Sequence, residues 1–374
     1  MVNSKTCLFL LSLIFVCIIY ACDKSTPPGP DDNGFDKTAM LVNYADNIIL
    51  PRYQLMQQKL TVLQSASEAF ITAPSLTTQT ELKVVYREAY LQYERIAAFQ
   101  FGPAEALLLD PFVNFSGGLD YDFNTSGELT GFSVDTITIE NNIATGIYDL
   151  TSLNRNNFYA QGFPALGYLY FDPNAVDRFA TNPNGRIKYI RDVTTRLKSL
   201  VDKVAGDWTV YREEFIANTK TNIGSPMGNM VNQLAYQIDL LKGPRIGWPF
   251  GKQSGGIIFP TKSEGYYAEI SVALAVENLA SLKEVYTGSD SGKGLSDYLV
   301  ALNRAALNEE VTRQFDKTLA ALQNIPDPLS TSIIAEPAKV EAAYKEIQKL
   351  LTLLKTDIAS ATGVQITFTD NDGD

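Results

Sequence analysis

Apolar side chains recur every three or four positions along most of this chain, which is the spacing of one face of an α-helix. From Asp36 to Phe70 the stripe runs Leu41, Tyr44, Ile48, Met56, Leu60, Leu63 and Phe70, with Pro51 placed to kink or break it. A second helix is predicted from Thr78, where Thr78 and Glu81 fit a capping box. Its stripe is Leu82, Val85, Ala89, Tyr93, Ile96 and Ala97, and it ends at Phe101-Gly102-Pro103. Residues 110–136 lose the period and read as a long ordered loop or insertion followed by a short helix. Along the whole chain, Val134 to Ile139 is the one β-like stretch. A long helix is predicted from Pro183 to Ala217, with Ile190, Val193, Leu197, Leu200, Val204, Trp208, Tyr211 and Phe215 on its apolar face. Gly224-Ser225-Pro226 interrupts the pattern, and a helix over 227–241 follows. Residues 242–265 are rich in Gly and Pro, and further helices are predicted over 264–286, 295–323 and 337–361. The fold class is all-α. Its simplest form is two tandem helical-bundle domains, each four-helix-bundle-like, over 36–224 and 225–368.

The two ends depart from this periodicity. Lys5 precedes an almost wholly apolar run from Leu8 to Tyr20, the length of a signal-peptide core and short for a membrane span. The run closes on Ile19-Tyr20-Ala21-Cys22, which resembles a bacterial lipobox. That resemblance implies removal of residues 1–21 and a lipid on Cys22 as the new N-terminus. Cys7 and Cys17 leave with the signal, so Cys22 is then the only cysteine and no disulfide is expected. Residues 22–35 carry three prolines and two glycines and read as a tether. Residues 369–374 are an acidic tail that resembles the start of a calcium loop, but its Gly is out of place and the closing Glu is missing. The expected location is the bacterial cell envelope, lipid-anchored in the outer membrane on its periplasmic or surface face.

Composition then removes whole classes of chemistry. The 374 residues include no histidine, so no His-based general base, Ser-His-Asp triad or His-ligated zinc site can form within the chain. With 31 Lys plus Arg against 42 Asp plus Glu, the net charge is −11, and no basic stripe suits nucleic acid. Arg186, Lys188 and Arg191 read as the solvated face of a helix. Gly247-x-x-x-Gly251-Lys252 is one residue too short for a phosphate loop, has Gln253 where Ser or Thr is needed, and follows no strand.

Several segments, taken in order, resemble the imelysin family, which is also classed as a peptidase family. They are Asn43-Tyr44-Ala45-Asp46-Asn47-Ile48-Ile49-Leu50-Pro51-Arg52-Tyr53, Phe101-Gly102-Pro103 and Gln161-Gly162-Phe163-Pro164-Ala165-Leu166-Gly167-Tyr168-Leu169-Tyr170-Phe171. Ser263-Glu264-Gly265-Tyr266-Tyr267, Glu277-Asn278-Leu279 and Val285-Tyr286-Thr287-Gly288 continue the series. The tail Gly363-Val364-Gln365-Ile366-Thr367-Phe368 is similar to that of members with Bacteroidetes-type envelopes. The resemblance spans roughly 36–368 and implies two helical bundles, an envelope location and an association with iron uptake. The family's central motif is Gly-x-His-x-x-Glu. Here Gly162 is kept, while Pro164 stands for the His and Gly167 for the Glu, so neither position offers a metal ligand.

The leading expectation is therefore a non-enzymatic lipoprotein binding a ligand or partner in iron uptake. Its candidate site is Gly162, Pro164, Gly167 and Tyr168 at an interdomain cleft, with Glu94, Arg95 and Glu264 bringing charge to it. A carboxylate-only metallopeptidase and a receptor-accessory scaffold without a small-molecule site stand as alternatives. No cofactor is expected as such. Iron or another divalent metal at an unknown site is left open, and the expected partners are the membrane, through the lipid, and iron-uptake proteins.

Overall fold

The computed structural model describes residues 34–115 and 134–368, together with a two-residue antiparallel backbone pairing of Asp122–Phe123 with Leu129–Thr130. The expected signal sequence, Cys22, most of the expected tether and the 369–374 tail lie outside the described residues. The described chain is built on α-helices, and residues from Lys37 onward form one compact unit. Eight helices carry the architecture: α1 Leu50–Thr72, α2 Leu76–Glu94, α3 Gly162–Phe171, α4 Pro183–Ala217, α5 Pro226–Leu240, α6 Ser271–Thr287, α7 Ala305–Gln323 and α8 Pro337–Thr352. In the first half α1 packs between α2 and α4, with α3 against both α2 and α4. In the second half α7 packs between α6 and α8, and α5 touches α6 and α8. The boundary expected near Gly224 falls in the turn between α4 and α5, and α2 packs on α6 across the two halves.

Local chemistry explains most of the helix ends. Pro51 does not break the first helix. Lys37–Asn43 runs into α1 through a π-helical turn, Tyr44–Ile49, in which Leu50 N–H donates to the Ala45 carbonyl. One extra residue in the turn preceding Pro51 eases the crowding its ring would cause. The capping box of α2 is one turn earlier than expected: Thr78 N–H donates to Ser75 Oγ at 3.2 Å and Ser75 N–H donates to Thr78 Oγ1 at 3.2 Å. α4 begins at Pro183, with Asn182 Oδ1 accepting from Gly185 N–H at 3.1 Å. The N-terminus of α6 is capped from a distance by Asp327, which accepts from Val272 N–H at 2.8 Å and Ala273 N–H at 2.9 Å.

Four expectations are corrected. Val134–Ile139 is not extended: Asp135 caps a helix over Thr136–Thr145 by accepting from Thr138 N–H at 2.8 Å, and Ile139 and Ile143, four apart, bury together. The helix expected over 295–323 is two, Leu295–Ala301 and α7, separated where Asn303 takes a left-handed φ of 59°. α6 starts at Ser271 because the preceding stretch holds a tight turn at Tyr266–Ala268, with Gly265 and Glu269 both left-handed. Arg186 is not on a solvated face; it is buried and donates to Glu140 Oε2 at 2.6 Å.

Candidate functional site

The start of α3 can be built only with glycine. Gly162 has φ +69°, and a Cβ there would lie 2.2 Å from the Val113 carbonyl oxygen. That contact presses α3 against Phe112–Val113. Pro164 follows in the first turn, where a missing N–H costs no helical hydrogen bond. The Phe163 carbonyl accepts from Tyr86 Oη at 2.7 Å, and the Phe163 ring stacks on Tyr90 with centroids 4.5 Å apart. Gly167 lies three residues after Pro164, on the same helix face. A Cβ at Gly167 would come within 2.9 Å of Tyr86 Oη, so Gly167 is what lets α2 and α3 approach with Tyr86 between them.

Pro164 and Gly167 face a small cavity of about 40 Å³, shared with Tyr86, Tyr90, Tyr267 and Glu264. Glu264 is held by two elements besides its own. Asn114 Nδ2 donates to Oε1 at 2.8 Å, and Arg245 Nε lies 3.2 Å from Oε2. That second approach is an ion pair without hydrogen-bond alignment, which leaves Glu264 Oε2 without a hydrogen-bond partner among the described residues. Arg245 extends from a π-helical turn, Leu241–Gly247, that prolongs α5. Its Nη1 donates to Glu94 Oε2 at 2.7 Å, and the same oxygen accepts from Asn278 Nδ2 at 2.9 Å. Asn278 Nδ2 also donates to Gln237 Oε1 at 3.2 Å, so α2, α5 and α6 are tied together at one charged centre.

Two carboxylates here meet one guanidinium, all nearly excluded from solvent. Burial pushes the Glu94 carboxyl well above the usual carboxylate range, and Arg245 offsets this only in part. Burial also works against the Arg245 charge, but Glu264, Glu94 and Asp110 together outweigh it and raise its pKa. Glu94 Oε1 and Asn278 Oδ1 are further buried oxygens without a hydrogen-bond partner among the described residues.

The seven expected site residues therefore divide. Pro164, Gly167 and Glu264 share the cavity, and Glu94 backs it through Arg245. Gly162 shapes the approach of α3 without lining the cavity. Tyr168 donates to Glu140 Oε1 at 2.7 Å and meets the cavity only through an edge contact with Tyr267 at 5.4 Å. Arg95, one residue beyond Glu94, belongs to a different cluster. It donates to Glu277 at 2.7 Å and to Glu284 at 2.5 Å, and Glu284 also accepts from Arg52 at 2.6 Å. Burial there lowers Arg52 to about 10, the neighbouring Arg95 charge adding to the effect. Arg245, Asn114 and Asn278 were not singled out in the sequence. A lone basic residue within the apolar run Gly243-Pro244-Arg245-Ile246-Gly247-Trp248 was the available signal.

A metal held by the central motif does not fit these residues. Pro164 and Gly167 carry no donor atoms, and a cation at Glu264 would face the Arg245 guanidinium. Among the described residues, no group of three or more His, Cys, Asp or Glu is arranged to hold a metal ion.

Comparison with known proteins completes the picture. The sequence profile of the Imelysin family matches residues 49–358. The chain belongs to the imelysin family. Iron-regulated protein A of Synechococcus elongatus is 21% identical over 311 residues, covering 79% of this chain and 78% of the relative. A Parabacteroides distasonis crystal structure, assigned as an iron-regulated protein A precursor, shares the fold with a TM-score of 0.71 and 19% identity, covering 91% of this chain and 98% of its own. An imelysin-like protein from Psychrobacter arcticum aligns with a TM-score of 0.68 and 16% identity, covering 89% of this chain and 97% of its own. These solved imelysin-like chains agree with the all-α architecture found here.

Proposed function

We propose that this imelysin-family chain is a non-enzymatic lipoprotein of a bacterial envelope, anchored through Cys22, that binds a ligand or partner in iron uptake. The observation that carries the reading is the pairing of a donor-free motif, Pro164 and Gly167, with a buried carboxylate, Glu264, across one cavity. Such a site suits recognition better than hydrolysis, because the motif supplies neither a metal ligand nor a base. The link to iron rests on relatives that carry the name iron-regulated protein A. The anchor rests on Ile19-Tyr20-Ala21-Cys22. Among the described residues no helix is long and apolar enough to cross a membrane.

The test uses the full chain in a bacterial host, with and without Cys22→Ala. Radiolabelled palmitate should enter the parent and not the variant, and the protein should change in abundance when iron is withdrawn. The purified chain should bind ferrous or ferric salts, or an iron chelate. A chain that binds none of these and does not respond to iron supply defeats the iron reading. Chelator-sensitive cleavage of unfolded casein would defeat the non-enzymatic one.

A further inference from the structure

We propose that a second pocket, beside Asp110, is a binding site for a small amine, an ammonium group carried on a short apolar body. The pocket has a volume of about 220 Å³, below the roughly 300–1,000 Å³ of sites for drug-sized ligands. Its walls are mostly apolar and include Ala104, Leu108, Leu109 and Leu240. It is distinct from the Pro164–Glu264 cavity, although Phe115 lines both, and the inference does not depend on the iron reading.

The polar groups choose the ligand. Asp110 Oδ1 accepts from Tyr93 Oη at 2.8 Å, while Oδ2 has no hydrogen-bond partner among the described residues. Gln233, also in the wall, has a buried Oε1 with no hydrogen-bond partner among the described residues. At its other end Nε2 donates to the Gln100 carbonyl at 3.3 Å. The unpaired Asp110 oxygen is an acceptor, and a ligand that completes it must donate.

Charge points the same way. The positive influence on Asp110 is Arg245, which is already engaged by Glu94 and Glu264, and among the described residues no basic side chain forms an ion pair with Asp110. The other groups facing Asp110 are the Tyr93 hydroxyl, the Glu264 carboxylate and the Tyr236 hydroxyl, with Glu105 at the pocket wall. None supplies a positive charge. Burial raises the Asp110 carboxyl to about 6, as expected of a carboxylate lacking a counter-ion, and an ammonium would supply one. Leu108, at the rim, holds a left-handed φ of 50° and is 40% exposed.

Calorimetry on the full chain tests this with cyclohexylammonium as the probe and cyclohexanol as its uncharged isostere. At about pH 7.5 the amine should bind saturably, and the alcohol at least ~10-fold more weakly. Asp110→Asn, which keeps an acceptor for Tyr93, should weaken the amine by ~10-fold or more. In the unsubstituted chain the affinity should fall by ~5-fold or more on going to about pH 5, as the carboxyl protonates, and stay flat in Asp110→Asn. The pH titration needs no variant, so it decides even where a substitution disturbs folding. No saturable binding, equal affinities for amine and alcohol, or a pH-independent affinity in the unsubstituted chain each overturns the proposal.

Discussion

Arg245 donates to Glu94 at 2.7 Å across 151 positions of sequence, with their side chains 2% and 0% exposed. This contact joins the end of α5 to the end of α2, and Glu264 on the guanidinium's Nε extends it to the cavity. A buried pair of this kind contributes little relative to well-packed apolar side chains, yet removing one partner strands the other's charge.

Arg245→Met should therefore destabilise the fold by ~3–5 kcal/mol, since two carboxylates lose the buried cation they share. Arg95→Ala should cost far less, about 1 kcal/mol or below, because its side chain is 28% exposed and solvent can replace its partners. Denaturant midpoints for the two variants check the contrast. Comparable losses would mean that burial is not what makes Arg245 matter.

Much of this fold was legible because helices announce themselves locally. The stripe from Ile190 to Phe215, opened by Pro183, set the bounds of α4 that the structure shows. The failures are also physical. Thr136-Ile137-Thr138-Ile139 has a β-like composition, but burying Ile139 with Ile143 and capping at Asp135 override it. The break at Asn303 is one residue's left-handed backbone, which leaves no trace in an apolar period. At the site, Glu94 stood on a predicted helix and Glu264 in a recognisable segment, whereas the arginine that links them lies in a Gly- and Pro-rich stretch with no helical pattern. Arg95 was misplaced because adjacent helix positions point about 100° apart, so a neighbour in sequence faces another cluster.

Glycine positions should divide by what surrounds them. Gly162→Ala adds a Cβ 2.2 Å from the Val113 carbonyl at a left-handed φ, so it should cost ~2 kcal/mol or more and loosen the start of α3. Gly206, exposed in the middle of α4, has nothing within 4 Å of its would-be Cβ. Gly206→Ala should stabilise by ~0.5–1 kcal/mol. Thermal midpoints moving in the same direction for both would contradict the packing described for α3.

Asp110 should make stability depend on mildly acidic pH. Burial is the main cause that raises its carboxyl from 3.8 to about 6, opposed by the Tyr93 hydrogen bond and Arg245. The folded state thus holds this proton more tightly than the unfolded chain. The stabilisation is fully present below 3.8 and is lost as pH rises through about 6. Relative to Asp110→Asn, the parent should lose ~1–3 kcal/mol between those limits. Urea unfolding of both chains across the window reads the difference directly, and a gap that does not change with pH would refute the assignment.

Gly167 and Tyr86 should be energetically coupled. The Tyr86 hydroxyl occupies the space in front of Gly167 and is held there by the Phe163 carbonyl. Gly167→Ala pushes a methyl against that oxygen, which cannot retreat without giving up its hydrogen bond, at a cost of ~1–3 kcal/mol. Tyr86→Phe alone leaves the Phe163 carbonyl without its hydroxyl donor, at a cost of ~1–2 kcal/mol. In the double variant the crowding atom is gone before the methyl arrives, so the combined loss should fall short of the sum by ~0.5 kcal/mol or more. A denaturant-unfolding cycle measures that shortfall, and strict additivity would show that α3 shifts away from α2 instead of pressing on Tyr86. The same geometry explains why Gly167→Glu would not restore a metal motif here: its side chain would start where the Tyr86 hydroxyl already sits.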